Sequence, residues 1–263
     1  MEALGIQYQK WHRDIPNALD KYMADYEEII RFLSAWSDIP CTTAFQSDLF
    51  SDPTMPMLLS YMISQRRNLG PILSPKYGLL ALHAACPVPG CGLADRHGRL
   101  NEYKESSGHN QNDGAITFHC PQHGPHTIYL SNPEEVARVE ANESTRSLLR
   151  GMTRLLDTTT HHIRVMGADY AGMYQETFLY RPILYVPLVV DWSGAKLSNS
   201  IYVREDGYVY LKQLGMDGLC SYAQLRERFD GDGGKGLRRI WDEVQRWMRD
   251  PKKLFRPFSL AYL

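Results

Sequence analysis

The sequence predicts an α/β protein that carries a small metal-binding ribbon, and three observations point there. Two apolar segments of strand character, residues 161–167 and 183–190, are separated by enough chain for the crossover that parallel strands require. Cys86 and Cys91 stand at C-x4-C spacing, Cys120 and His123 at C-x2-H spacing, so two short chelating pairs flank a polar insert. Helical periodicity marks both ends of the chain, with no internal repeat and no low-complexity tract.

Taken in order, residues 14–36 place Leu19, Tyr22, Met23, Tyr26, Ile29, Ile30, Leu33 and Trp36 at helical spacing. With Pro16 tolerated in the first turn, this reads as a long helix facing a core. A second helix is expected over 54–67, after the turn Ser51-Asp52-Pro53. Residues 77–85 read as a strand that delivers the chain to Cys86. Beyond the ribbon, 133–157 reads as one helix with Asn132 as its N-cap. Residues 201–210 set aromatic and valine residues around Glu205-Asp206-Gly207, a hairpin signal. Helices over 220–229 and 237–249 close the chain after a flexible Asp230-Gly231-Asp232-Gly233-Gly234 linker. The elements group into a helical part (1–77), a ribbon insert (78–131), a strand-bearing part (132–210) and a C-terminal helical segment (211–263).

A chain of 263 residues that is 43% hydrophobic and 11% aromatic can bury a sizeable core as one domain with an insert. It has no apolar run of about 18 residues and no signal-peptide pattern, so neither a membrane span nor secretion is expected. Three cysteines clustered with histidine argue for a reducing, cytoplasmic compartment. The net charge of −1 excludes a global electrostatic pull toward nucleic acid. Local basic runs stand at residues 65–67, 235–239 and 246–256, the last with Lys252 and Lys253. They are either solvated helix faces or contacts to phosphates.

Twenty-eight residues separate the two chelating pairs, and the chain returns to Cys120 on a short strand over 115–119. This is the outline of a ribbon in which tetrahedral Cys3His ligation of zinc by Cys86, Cys91, Cys120 and His123 holds two knuckles that have too little core to fold alone. His119 and His126 crowd the same segment, and His123 has the best spacing. Four protein ligands leave no open position, so the zinc would be structural. The same residues also suit buried free thiols, or a disulfide in a secreted protein.

The stretch Val190-Asp191-Trp192-Ser193-Gly194-Ala195-Lys196-Leu197-Ser198-Asn199-Ser200 puts a lysine and two serines on a glycine-containing loop after an apolar strand. That chemistry suits phosphate or adenosine, and an ordinary surface turn uses the same residues. About twenty residues upstream, His161-His162-Ile163-Arg164-Val165-Met166-Gly167-Ala168-Asp169-Tyr170 is a strand ending in G-x-D. Together the two segments resemble the KMSKS loop and the G-x-D strand of class I aminoacyl-tRNA synthetases, in family order and spacing. The resemblance implies the second half of a Rossmann-like parallel sheet. It also implies an adenosine pocket in which Asp169 meets ribose hydroxyls while Gly167, Lys196, Ser198 and Ser200 line the site. Two features depart from the pattern. Asn199 replaces the second lysine, and no HIGH tetrapeptide precedes these segments. Adenylate formation needs concentrated positive charge on the phosphates, so ATP use by this chain alone is not expected.

A ribbon between a helical segment and the G-x-D strand is most similar to class I lysyl-tRNA synthetases, over about residues 2–203. The chain also resembles the fungal arginine-containing cyclodipeptide synthases, which consume charged tRNA instead of ATP, although the D-D-x-x-E motif of that group is absent. Three functions follow from these resemblances. In the first, an aminoacyl-tRNA-dependent amide-forming transferase, the ester is already activated, and Tyr170, Tyr174 or Glu176 handles protons or the substrate amine. Tyr174 equally suits a core and Glu176 a solvated face. The second is a lysyl-type synthetase fragment whose partner chain supplies HIGH. The third is a non-catalytic tRNA-binding paralogue.

Overall fold

Helix α1 (Asp20–Ser37) is the first long element of the computed structural model, which describes residues 2–3, 6–10, 20–107, 113–171, 182–190, 194, 196, 207–216, 218, 221–259 and 262. The described residues fall into two compact units. Met1–Pro16, Thr43–Ile163 and Gly172–Pro182 contribute to the first; Asn17–Thr42, Arg164–Ala171 and Ile183–Leu263 contribute to the second. The chain is mixed α/β, with small antiparallel sheets in the first unit and parallel pairs in the second. No helix of the described residues is long and apolar enough to cross a membrane.

The first unit is built on helix α2 (Met55–Ser64). Met55, Leu58, Leu59, Met62 and Ile63 recur at the i, i+3, i+4, i+7, i+8 positions that line one helix face, and all are buried. Pro56 sits in its first turn, where a missing N–H costs nothing. The chain breaks at Gln65 and turns into α3 (Arg66–Leu73), so the single helix expected over 54–67 is two. Gly70 lets α3 approach the next turn closely, since a Cβ there would stand 2.3 Å from the carbonyl oxygen of Gly78.

Three short sheets pack around these helices. β1 (Glu2–Ala3), β2 (Ile6–Lys10) and β4 (Leu93–Asp95) form one antiparallel sheet. β5 (Glu102–Lys104), β6 (Ala115–Cys120) and β7 (Gly124–Tyr129) form another. β3 (Leu82–Ala84) pairs with β8 (Val139–Ala141) in a third. The strand expected over 77–85 is therefore only its last part, because residues 75–78 form turns and Ala81 adopts a positive φ of 49°. The helix expected over 133–157 is also divided. Asn132 does cap a helix, accepting from Glu134 N and Glu135 N, but this α4 (Pro133–Val136) lasts one turn. The chain then extends as β8 and restarts as α5 (Glu143–Leu156), capped by Asn142 accepting from Thr145 N at 2.9 Å. The pairing of β8 with β3, both fully buried, overrides local helix preference. Leu148 and Leu149 of α5 join α2, β3, β6, β7 and β8 in the main core, and buried Thr145 donates to Leu80 O at 2.6 Å.

In the second unit, β9 (Arg164–Gly167) and β10 (Ile183–Val186) are parallel, with Arg164 opposite Ile183 and Gly167 opposite Val186. β11 (Val189–Val190) comes after Pro187 and pairs in parallel with β12 (Phe258–Ser259). Both segments read as strands thus are strands, each shorter than expected, and among the described residues parallel pairing stops at these two pairs. The second half of the hairpin expected over 201–210 is helical instead. Residues 201–206 lie outside the described residues, and from Gly207 the chain is helix α6 (Gly207–Gln213). Next come α7 (Tyr222–Arg228), capped by Ser221, and α8 (Gly233–Arg249), capped by Asp232. The glycines of the expected linker, Gly233 and Gly234, are therefore part of α8. Gly233 and Gly236 lie where a Cβ would meet Tyr222 Oη at 2.2 Å and Leu225 Cγ at 2.9 Å, so close packing on α7 offsets glycine's poor helix propensity. The buried face expected of α1 is narrower than its periodicity implied: Tyr26 is 59% exposed and Leu33 36%. Trp36 meets Trp241 of α8 at 5.9 Å and Phe32 at 5.5 Å, and Phe32 also faces Gly234. Leu19 lies outside the described residues.

Candidate functional site

The metal pattern resolves into one cluster in the first unit. β6 and β7 form a hairpin in which Cys120 opposes Gly124, and the three-residue loop between them ends on Gly124 at φ 77°, the left-handed glycine of a bulged turn. This loop presents Cys120 and His123. The other knuckle turns at Gly90 (φ 78°), where Cys91 N donates to Val88 O at 3.1 Å and Cys86 N to Leu93 O at 2.9 Å. The four ligand atoms of Cys86, Cys91, Cys120 and His123 lie within 4.8 Å of one another.

Their separations test whether a metal fits. Tetrahedral ligation with metal–sulfur bonds of about 2.3 Å and metal–nitrogen bonds of about 2.0–2.1 Å requires S···S edges of about 3.8 Å and S···N edges of about 3.6 Å. Cys91 Sγ and Cys120 Sγ are 3.7 Å apart, and His123 Nδ1 is 3.5 Å from Cys86 Sγ and 3.6 Å from Cys120 Sγ. The group can hold a metal ion, and the sulfurs are too far apart for a disulfide, which needs about 2.05 Å. Burial pushes the Cys86 thiol up to about 11. Burial also acts on Cys120, but the backbone N–H groups of Gln122 and His123 and the His123 ring outweigh it and hold that thiol at about 7. Sulfur is thus already drawn toward its ligating, deprotonated form at one corner.

The strand alternation decides among the three histidines. His119 precedes Cys120 on β6 and points to the opposite face, where its Nε2 lies 3.5 Å from Glu102 Oε1. His126 packs against Phe118, with ring centroids 5.8 Å apart. Neither joins the cluster.

The second candidate site lies in the second unit at the carboxyl end of the parallel pair. β9 ends at Gly167, and residues Ala168–Tyr170 form one 3-10 turn that lifts Asp169 over the strand end. The Asp169 carboxylate forms an ion pair with Lys196 Nζ, 27 residues away on the loop after β11, where Lys196 bridges Val190. The ammonium also lies 5.8 Å from the centre of the Tyr170 ring. Glycine at 167 has a local reason: a Cβ there would stand 2.4 Å from Asp169 Oδ1. The carboxylate folds back over its own strand end, and any side chain at 167 would push it away. Gly167, Asp169, Tyr170 and Lys196 therefore come together, whereas Tyr174, Glu176, Ser198, Asn199 and Ser200 lie outside the described residues.

A cavity of about 380 Å³, unmarked by any sequence motif, opens in the first unit between Met57, Ser60 and Tyr61 of α2 and Glu105 and Ser106 beyond β5. Ser60 and Ser106, 46 residues apart, join hydroxyls across it at 2.8 Å, and Glu105 pairs with Arg66. Only long-range packing assembles it, so no local pattern along the chain announces it.

No protein-family model, curated protein or solved structure matches the chain.

Proposed function

We propose that this chain is an aminoacyl-tRNA-dependent amide-forming transferase, similar to cyclodipeptide synthases, on a class I synthetase scaffold whose Rossmann-like sheet includes β9 and β10. The observation that carries the reading is the meeting of Asp169 and Lys196, side chains from the G-x-D strand end and the K-L-S-N-S loop, at the carboxyl end of a parallel pair. Open α/β sheets bind ligands at that end. An exposed ion pair is worth at most about 1 kcal/mol, so the terminal adenosine of a tRNA can displace it at little cost. Asp169 then accepts hydrogen bonds from the ribose hydroxyls, and Lys196 is freed toward the nearby phosphate.

The chemistry needs no ATP. The amine nitrogen of one substrate attacks the ester carbonyl of the charged tRNA, a C–N bond forms, the C–O bond to the terminal ribose breaks, and a proton passes from the amine to the leaving oxygen. Tyr170, whose ring lies beside Lys196, is our first candidate for that proton transfer, with Tyr174 and Glu176 as the others. Lys196 is the one cation of the K-L-S-N-S motif, since Asn199 brings no charge, which speaks against adenylate formation. We assign the Cys3His cluster to zinc, held for structure, because four protein ligands leave no position for substrate.

The test is to incubate the chain with a bulk pool of aminoacyl-tRNA and monitor deacylation together with the amides formed. The expected outcome is loss of the ester with appearance of dipeptide or cyclic dipeptide. Free amino acid alone, at the rate of spontaneous hydrolysis, refutes the transferase. Lysine-dependent pyrophosphate exchange on adding a HIGH-bearing partner chain would assign the synthetase-fragment reading instead.

A further inference from the structure

The C-terminal basic run acquires a geometry in α8 that the sequence alone did not define. Residues 233–256 hold eight Lys and Arg against three Asp and Glu, a local charge of +5 in a chain whose net charge is −1. At about 100° per residue, Lys235, Arg238, Arg239, Arg246 and Arg249 fall on one face of α8, and all five are exposed. Asp242 is the single carboxylate on that face, and Arg238 Nε engages it at 3.1 Å. Among the described residues, no carboxylate forms an ion pair with Lys235, Arg239 or Arg249. An ordinary solvated helix face balances its charges at i, i+4; this one sets five cations against the single carboxylate of Asp242.

The stripe continues past the helix. In the turn Pro251–Phe255, Lys252 is exposed and Phe255 is 89% exposed, and Arg256 comes next, its guanidinium 4.9 Å from the Phe258 ring. A large planar apolar side chain standing in water between cations is poorly placed for a fold and well placed for stacking on a base.

We propose that this face of α8, with Phe255, is an RNA-binding surface: the cations track phosphates of one strand and Phe255 stacks on an unpaired base. This rests on the reading of charged tRNA as substrate and gives that reading its grip on the tRNA body. The surface spans about 21 Å from Lys235 to Arg249 at 1.5 Å per residue, enough for several consecutive phosphates. A lipid surface fits less well. Membrane-surface helices insert a continuous apolar face, whereas the opposite side of α8 is largely packed inside the unit, with Gly233, Gly234, Gly236 and Trp247 buried and Trp247 stacked on Phe258 at 4.1 Å, and its exposed apolar residues Ile240 (38%) and Met248 (46%) make only two isolated points. An acidic protein would satisfy the cations, but a nucleic acid strand offers both the regular row of anions and a planar stacking partner at every nucleotide.

The experiment uses the full chain and uncharged bulk tRNA, with anisotropy titrations across potassium chloride concentrations. The triple variant Lys235→Gln, Arg239→Gln, Arg249→Gln should bind about ten- to fiftyfold more weakly near ~0.15 M salt, with the salt slope reduced by about 2 to 3. Phe255→Ala should weaken binding about fivefold or more with the slope unchanged, the mark of a stacking contact. Neither should move the melting temperature. Wild-type affinity in the triple variant overturns the surface, as does binding to phosphatidylserine vesicles in place of tRNA. Salt-dependent tRNA binding through the stripe without any amide product refutes the transferase and leaves the surface standing. Amide formation at unchanged kcat/KM in the triple variant does the reverse.

Discussion

Removing the metal from the Cys3His cluster should unfold the knuckles and leave the main core of the first unit in place. The small cluster around the ligands contains Cys86, Cys91, Cys120 and Leu93 as buried residues, with Tyr8 packed against it. Take away the ion and, among the described residues of this cluster, Leu93 is the one buried apolar side chain that is not a ligand. Burying one such side chain contributes about 1.5–3 kcal/mol. Fixing the six-residue stretch from Cys86 to Cys91 costs ~1–2 kcal/mol per residue, roughly 6–12 kcal/mol in all. The deficit is about 3–10 kcal/mol, and the ~10–16 kcal/mol that structural zinc contributes in small zinc-binding peptides is enough to cover it. The main core shares no residue with the ligand cluster, so its hydrogen bonds should outlast the metal. Hydrogen exchange before and after chelation measures this directly. The amides of residues 86–93 and 120–124 should lose protection, while those of Leu149, Ile116 and Ile128 keep it. Protein purified without chelator should carry about one zinc per chain. Unchanged protection of both knuckles after complete metal removal would refute the reasoning, as would protein that never contains metal.

Four further outcomes are expected. Asp169→Ala should weaken binding of charged tRNA by about 1.5–3 kcal/mol with little change in melting temperature; unchanged binding leaves the residue without a ligand role. Gly167→Ala, which must displace the Asp169 carboxylate, should reproduce that loss in the same binding assay. Pyrophosphate exchange should be undetectable with any of the twenty amino acids, and Asn199→Lys alone should not restore it, because the rest of the phosphate site is untouched. The last concerns Glu243, which is buried and accepts from Trp247 Nε1 at 2.6 Å and Tyr262 Oη at 2.8 Å. Burial pushes its pKa up, but these hydrogen bonds and Arg246 outweigh it and hold the carboxyl below its ordinary 4.5. A carboxyl depressed on folding stabilises fully above its unfolded value and loses that contribution as pH falls through the folded one. Melting monitored by tryptophan fluorescence should therefore drop below about pH 4.5, with a smaller drop in Glu243→Gln.

The metal ligands were legible because chelation is local: two ligands a few residues apart on a turn identify themselves without knowledge of the rest. Among His119, His123 and His126 the C-x2-H spacing already favoured His123, and the hairpin register gives the physical reason, placing His119 and Cys120 on opposite faces. The parallel strands were legible from their apolar runs, but not where Pro187 would divide the second. β8 stayed hidden because three residues, Val139 to Ala141, lie between segments that favour helix, and only their pairing with β3 makes them a strand. The start of α8 stayed hidden for the opposite reason. Its glycines signal a linker, and the neighbours that require them, Tyr222, Phe32 and Leu225, are contributed by other helices.

β2 is held by backbone hydrogen bonds to β4, which begins two residues after Cys91, and the Tyr8 ring rests on the sulfur cluster. An ion held by the cluster would therefore fasten a strand that is remote in sequence from every one of its ligands. A protease able to cut only slackened chain should spare residues 6–10 while the metal is bound and nick them once it is withdrawn. Those five residues would then act as a tether whose slackening reports the supply of metal, and cleavage within them would disclose the occupancy of a site some eighty residues further along.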